Sequence, residues 1–252
     1  MLTEEIQSKE TQVPEGALES ASPVVLTERD IGVLQFAHEQ RYLCYNQISD
    51  TFWKECSEDA NACKHRVSKL VAAGFLSKKY SGRKKLDVYF STEKAVEALK
   101  SRSLDSGMRA LKFTRDFERY ISHDLHVTNL RMLFRELGWR EWTSERVLRE
   151  RDHYYNRPDG VLTVRGQKIA IEFENRITKG KARYAELFDY YDKHAGYKLL
   201  FVIIRKDIRE WLLDLKYDAR RVWFANYEDL MEQKEKTLFE NMRATFELSR
   251  LL

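Results

Sequence analysis

Arg157-Pro158-Asp159-Gly160 and Ile169-Ala170-Ile171-Glu172-Phe173-Glu174 hold the residues best suited to chemistry in this chain. Two apolar-rich runs flank a short break at Arg165-Gly166, the pattern of a β-hairpin. A loop symmetric about that dipeptide sets Val164 against Gln167 and Leu162 against Ile169. It also sets Asp159 against Glu172 and Arg157 against Glu174. Period-2 alternation then puts Arg157, Asp159, Glu172 and Glu174 on one sheet face. Leu162, Val164, Ile169, Ile171 and Phe173 fall on the other. Carboxylates directly across a ladder repel each other. A divalent cation with oxygen ligands, Mg or Mn, would compensate and would activate water for hydrolysis. The plainer alternative has Asp159 shape a turn after proline, with Glu172 and Glu174 on the solvated face of an edge strand.

The chain that must position these acids has 252 residues, enough for one large domain or two small ones. Hydrophobic residues make up 43% and aromatics 12%, sufficient for packed cores. No run is long enough to span a bilayer, and the N-terminus lacks a basic-then-apolar signal pattern. No membrane partner is expected. Cys44, Cys56 and Cys63 are odd in number and lack paired metal spacing, so they read as reduced thiols of a cytoplasmic protein. The net charge of +4 is unevenly spread. Residues 1–22 carry five glutamates against Lys9 alone, a polar acidic stretch expected to be a disordered tail. The remaining body is correspondingly more basic, which suits a polyanion partner.

Residues 23–100 form the first expected domain. Thr27 caps a helix with Asp30 three residues on, close to a capping box. A second helix is predicted near Tyr42–Phe52 and a third over Ala60–Ala73, ending at Gly74. An extended run through Lys78-Lys79-Tyr80 turns at Ser81-Gly82 and returns as Leu86–Phe90, before a helix from Lys94. Lys64, Arg66, Lys69, Lys78, Lys79, Arg83, Lys84 and Lys85 lie in this stretch with no acid among them. Helix, helix, helix, hairpin, helix is the order of a winged helix-turn-helix. Val67–Leu76 resembles the end of a recognition helix in bacterial winged-helix regulators. On that reading Lys64, His65, Ser68 and Lys69 face the groove of double-stranded DNA. Lys78 and Lys79 belong to the same basic surface, and Arg83, Lys84 and Lys85 sit at the wing tip, suited to phosphate.

Ser101, Ser103, Ser106 and Gly107 mark a linker over residues 101–108, which separates a second domain over 109–252. A long helix is expected over Arg115–Leu137. Its His123 and His126, three apart, read as capping or packing residues, because a third metal ligand is not evident. The predicted order after it is three strands, a helix over Lys181–His194, a strand Tyr197–Ile204, a helix Ile208–Leu215 and a strand Arg221–Ala225. The chain from Asp229 is expected to be helical. Its stripe of Leu230, Leu238, Phe239, Met242, Phe246 and Leu251 serves either a homodimer or the core.

That order gives a mixed α/β sheet. With an acid on the second strand and acids on the third, it resembles the PD-(D/E)XK nuclease fold. Pro158-Asp159 supplies the opening pair and Glu172 the second acid. Glu174 stands where the resemblance requires lysine, which weakens the case for cleavage. Lys181 is then the first candidate for a relocated cation, with Lys179 and Arg183 nearby. Glu145, in Thr143-Ser144-Glu145, is placed on the first strand as a further metal ligand. The whole arrangement, with His123 to Asn129 in the long helix, resembles the replication-relaxation family of plasmids and integrative elements. The resemblance implies a DNA-binding protein in replication, mobilisation or transcriptional control of a mobile element, with a second copy or another mobile-element protein as further partner. An active Mg-dependent endonuclease using Asp159, Glu172 and Glu174 is the alternative, and a protein-interaction module is the third reading.

Overall fold

The computed structural model describes residues 24–54, 60–104, 107–112, 117–151, 156–175, 180–193, 196–205 and 217–251. The expected acidic tail, Cys56 and the predicted helix Ile208–Leu215 lie outside the described residues.

The N-terminal half runs α1 (Glu28–Gln40), β1 (Leu43–Cys44), α2 (Tyr45–Phe52), α3 (Ala60–Ala72), β2 (Leu76–Ser81), β3 (Leu86–Ser91) and α4 (Glu93–Lys100). The capping box at Thr27 is present: Asp30 Oδ2 accepts from Thr27 N–H at 2.7 Å, and Thr27 Oγ1 accepts from Asp30 N–H at 3.3 Å. Asp30 is fully buried and holds Arg66 of α3 at 2.5 Å, so Arg66 is a structural cation and leaves the basic surface. The second helix starts at Tyr45 rather than Tyr42. Leu43, fully buried, pairs instead with Tyr89 of β3, giving an antiparallel sheet of order β1-β3-β2.

The C-terminal half begins with α5 (Phe117–Glu136), then β4 (Trp142–Ser144), α6 (Glu145–Arg151), β5 (Gly160–Val164), β6 (Gln167–Glu174), α7 (Lys181–Lys193), β7 (Leu199–Ile204), β8 (Val222–Asn226), α8 (Tyr227–Gln233), β9 (Leu238–Glu240) and β10 (Thr245–Glu247). The protein is therefore mixed α/β, with a seven-stranded sheet of order β10-β9-β8-β7-β6-β5-β4. Strands β4 to β6 form an antiparallel meander, while β6, β7 and β8 run parallel. A helical connection such as α7 is what joins parallel neighbours. One sheet face packs Ile169, Ile171 and Phe173 against Val127, Leu130 and Phe134 of α5. The other packs Val161, Ala170 and Val202 against Tyr184, Phe188 and Tyr191 of α7.

Two expectations fail here. Glu145 is the first residue of α6, not a strand residue. The C-terminal segment is not a continuous helix: α8 stops at Gln233 and the chain adds the β9–β10 hairpin to the sheet. Asn241 organises its turn, its side-chain oxygen accepting from Arg243 N–H at 2.9 Å and Ala244 N–H at 3.0 Å. The proposed stripe is thus divided. Leu230 and Phe239 are in the core, Phe246 and Leu251 pack against it, and Leu238 and Met242 are exposed.

The two halves are packed together. Tyr42 and Val88 share a cluster with Phe117, Ile121 and Leu125. Arg131 of α5 pairs with Glu39 of α1 at 2.6 Å, and Gln47 of α2 donates to Leu125 O at 2.9 Å. No helix among the described residues is long and apolar enough to cross a membrane.

Candidate functional site

The β5–β6 hairpin turns at Arg165 (φ 50°) and Gly166 (φ 75°), the two left-handed residues of a type I′ turn. Its register pairs Val164 with Gln167, Leu162 with Ile169 and Gly160 with Ile171. Continued one pair, it brings Asp159 opposite Glu172, as the symmetric loop predicts. Strand β6 is interior, however, between β5 and β7. Glu172 and Glu174 are each only 7% exposed, so they do not form the solvated face of an edge strand.

Each acid at the head of the hairpin has a protein partner. Asp159 Oδ2 accepts from Phe173 N–H at 2.8 Å and lies 3.2 Å from His123 Nε2. That nitrogen is also 3.2 Å from Phe173 O, so it faces two acceptors and carries a proton. His123 Nδ1 stands 3.6 Å from Asp124 Oδ1. Burial opposes charging the ring, but Asp159 and Asp124 outweigh it and hold the imidazole pKa well above its usual 6.5. Glu172 Oε1 accepts from Tyr191 O–H of α7. Burial and the Glu172 charge together push the Tyr191 phenol well above 10, so it remains a donor. The repulsion expected across this pair thus meets protein groups on both sides, the His123 ring beside Asp159 and the Tyr191 phenol on Glu172.

Glu145 enters the site from a different direction. Its carboxylate holds Arg41 at 2.8 Å and Arg149 at 2.5 Å. Arg41 stands 3.6 Å from Asp124, so Glu145 connects to Asp159 through Arg41, Asp124 and His123. Among the described residues, no group of three or more His, Cys, Asp or Glu side chains is arranged to hold a metal ion. As placed, Asp159 is engaged by His123 and Glu172 by Tyr191.

These residues line a cleft of about 790 Å³. Asp159, Glu172 and Glu174 contribute from the sheet, and His123, Asp124 and Glu145 from α5 and α6. Six arginines, Arg41, Arg83, Arg119, Arg149, Arg157 and Arg183, line the same space. Arg83, Arg119 and Arg149 are exposed, whereas Glu172 and Glu174 are buried. The cleft thus has a guanidinium rim over a carboxylate floor. Arg83 comes from the β2–β3 loop, so both halves of the chain contribute.

The other predicted basic residues lie elsewhere on the N-terminal half. Lys64, His65, Ser68 and Lys69 are exposed along α3. Lys78 and Lys79 are exposed on β2, with Lys78 paired to Asp87 at 3.2 Å. Lys84 is half-buried and Lys85 exposed in the loop beside Arg83. Lys181 begins α7, but its side chain lies outside the described residues, as does Lys179. Arg183 of α7 reaches the cleft, donating to Asn156 Oδ1 at 2.9 Å.

Sequence reasoning missed Arg41, Asp124 and Tyr191, and assigned His123 with His126 to capping or packing. His126 does pack, stacked on Phe173 with centroids 5.1 Å apart, and burial lowers its pKa. The three-residue offset of the histidines was the available signal for His123. The His123 ring also packs on Phe173, with centroids 5.6 Å apart, and adds the contact to Asp159. Comparison with family models, curated proteins and solved structures finds no match to this chain.

Proposed function

We propose that this protein binds double-stranded DNA through an N-terminal winged helix and holds part of it against a nuclease-like core that does not cleave. The order α1-β1-α2-α3-β2-β3-α4 around a β1-β3-β2 sheet supports the winged-helix reading. An α5–β4–α6–β5–β6–α7–β7 succession, with an antiparallel meander and one parallel crossover, supports the PD-(D/E)XK-like one. A role in replication, mobilisation or transcriptional control of a plasmid or other mobile element rests on the sequence resemblance.

One observation carries the proposal: Arg83 of the wing and the carboxylates of the sheet line the same cleft. A duplex contacted by the wing would meet exposed Arg119 and Arg149 on the adjoining rim, where guanidinium groups suit phosphate. The floor supports a core that is inactive or only weakly active. Glu174 occupies the position of the expected lysine, and Asp159 and Glu172 are held by His123 and Tyr191.

A gel-shift assay beside a supercoiled-plasmid assay with Mg²⁺ or Mn²⁺ tests the proposal. The expected result is a shift without nicking. Metal-dependent nicking that disappears in Asp159→Asn would make the protein an endonuclease. Absence of any shift would leave a protein-interaction module.

A further inference from the structure

We infer that the tip of the β2–β3 hairpin carries a phosphate-binding site that the free protein fills with its own Glu118. The inference rests on the DNA-binding reading above and specifies how that binding is restrained.

The loop Gly82-Arg83-Lys84-Lys85 presents three cations, and no acid occurs from Lys64 to Lys85. Its anion arrives from 36 residues along the chain, at the start of α5. Gly82 N–H donates to Glu118 Oε1 at 3.0 Å, and Ser81 O–H donates to Glu118 Oε2 at 2.8 Å. Arg83 Nη1 donates to Glu118 O at 3.3 Å. Lys84 N–H donates to Ser81 Oγ at 3.1 Å, fixing the hydroxyl that serves the carboxylate. A backbone N–H and a hydroxyl thus grip the two oxygens of one anion, with a guanidinium alongside. The same donors are those that hold a nucleic-acid phosphate.

A purely structural clip would be expected where it is protected from water. Two of the connections that join the two halves are of that kind: Arg131 with Glu39, and Ser144 Oγ with Glu39 O at 2.7 Å, are buried or nearly so. The Glu118 clasp is different. Ser81 is buried at its base, but Gly82 and Arg83 are exposed and Glu118 is half-buried, and a charge contact open to solvent contributes little to holding a fold together. Such a contact is readily displaced by a stronger anion. DNA would replace a single carboxylate with a phosphate that Arg83, Lys84 and Lys85 can also approach, and Glu118 would be released.

Fluorescence anisotropy with a short labelled duplex of random sequence tests this. Glu118→Gln should bind several-fold more tightly than wild type, because the competing charge is gone. The slope of log affinity against log salt should steepen by about one phosphate contact, a change of ~0.9. Adding Arg83→Ala to Glu118→Gln should cancel the gain. Glu118→Asp keeps the charge at the helix start but is too short to span both donors, and should give a smaller gain. Should Glu118→Gln fail to fold, Glu118→Asp decides the matter alone. Wild-type binding that neither variant improves overturns the inference while leaving the DNA-binding reading intact. No binding by wild type or either variant overturns both. Binding by the variants alone supports both.

Discussion

Between Asp159 and His123 the usual expectation about a carboxylate pair reverses. If Asp159 and Glu172 only repelled each other, Asp159→Asn would relieve the fold. With His123 protonated beside it, the same change removes one of the two carboxylate partners of a half-buried cation. The amide oxygen of the variant could still accept from Phe173 N–H, so the loss is confined to the charge. We expect Asp159→Asn to destabilise by about 1 kcal/mol, below the ~1.5–3 kcal/mol usual for a charged hydrogen bond because the His123 ring is a third exposed. A variant with a raised midpoint in urea would restore the repulsion argument. The pair also has a pH signature. The folded His123 pKa lies well above the unfolded value near 6.5, so its stabilisation is complete below that pH. It is lost as pH rises through the folded value. NMR titration should find this imidazolium persisting well above pH 6.5, and Asp159→Asn should shift it down. An unshifted His123 would sever the two residues.

The β4–β5 pair shows how elements set the geometry behind that site. Gly160 opens β5 directly beneath the Trp142 ring of β4. A Cβ built at Gly160 would fall 2.0 Å from the ring, closer than any atoms can approach. Trp142 is 8% exposed and belongs to the α5-side core, so it cannot simply swing into solvent. Gly160→Ala should therefore cost about 1–3 kcal/mol as an overpacking change, and should disturb Asp159 next to it. An unchanged denaturation midpoint would mean that β4 moves aside freely. The hairpin that carries Asp159 and Glu172 was legible because Arg165-Gly166 marks a two-residue turn and apolar residues count out from it evenly. Glu145 was not legible on its helix: α6 follows a three-residue strand immediately and has only seven residues itself, too few for a period to emerge. The β9–β10 hairpin was hidden for a related reason. Its strands have three residues each, and their apolar positions also fit a helical stripe. Arg41, His123 and Tyr191 come from the end of α1, from α5 and from α7, and no local pattern announces that tertiary packing will bring them to one hairpin.

Across the whole molecule, the question is how the segment 101–108 relates the two halves. Its polar composition marks it as the site where limited proteolysis should act first. The packing adds a consequence that composition alone does not carry. Glu39 of α1 accepts from Arg131 of α5, with side chains 11% and 12% exposed, and the Arg131 guanidinium lies 4.2 Å over the Phe36 ring. Burial lowers the Arg131 pKa despite Glu39, a sign of how little water reaches the pair. Ser144 Oγ donates to Glu39 O, and Tyr42 and Val88 pack with Phe117, Ile121 and Leu125. Cutting the linker leaves every one of these contacts in place. The nicked protein should therefore elute at the size of the intact chain and unfold in a single transition near the original Tm. Glu39→Ala is the matching perturbation from inside the interface. It leaves the Arg131 charge buried without its carboxylate, which typically costs about 3–5 kcal/mol. In the nicked protein that loss should show as separation of the two fragments on size exclusion, whereas the uncut variant stays joined by its linker and loses only stability. Fragments that part after nicking of the wild type would mean that the halves are independent domains, and the cleft lined by Arg83 and Asp159 would then lack a fixed shape.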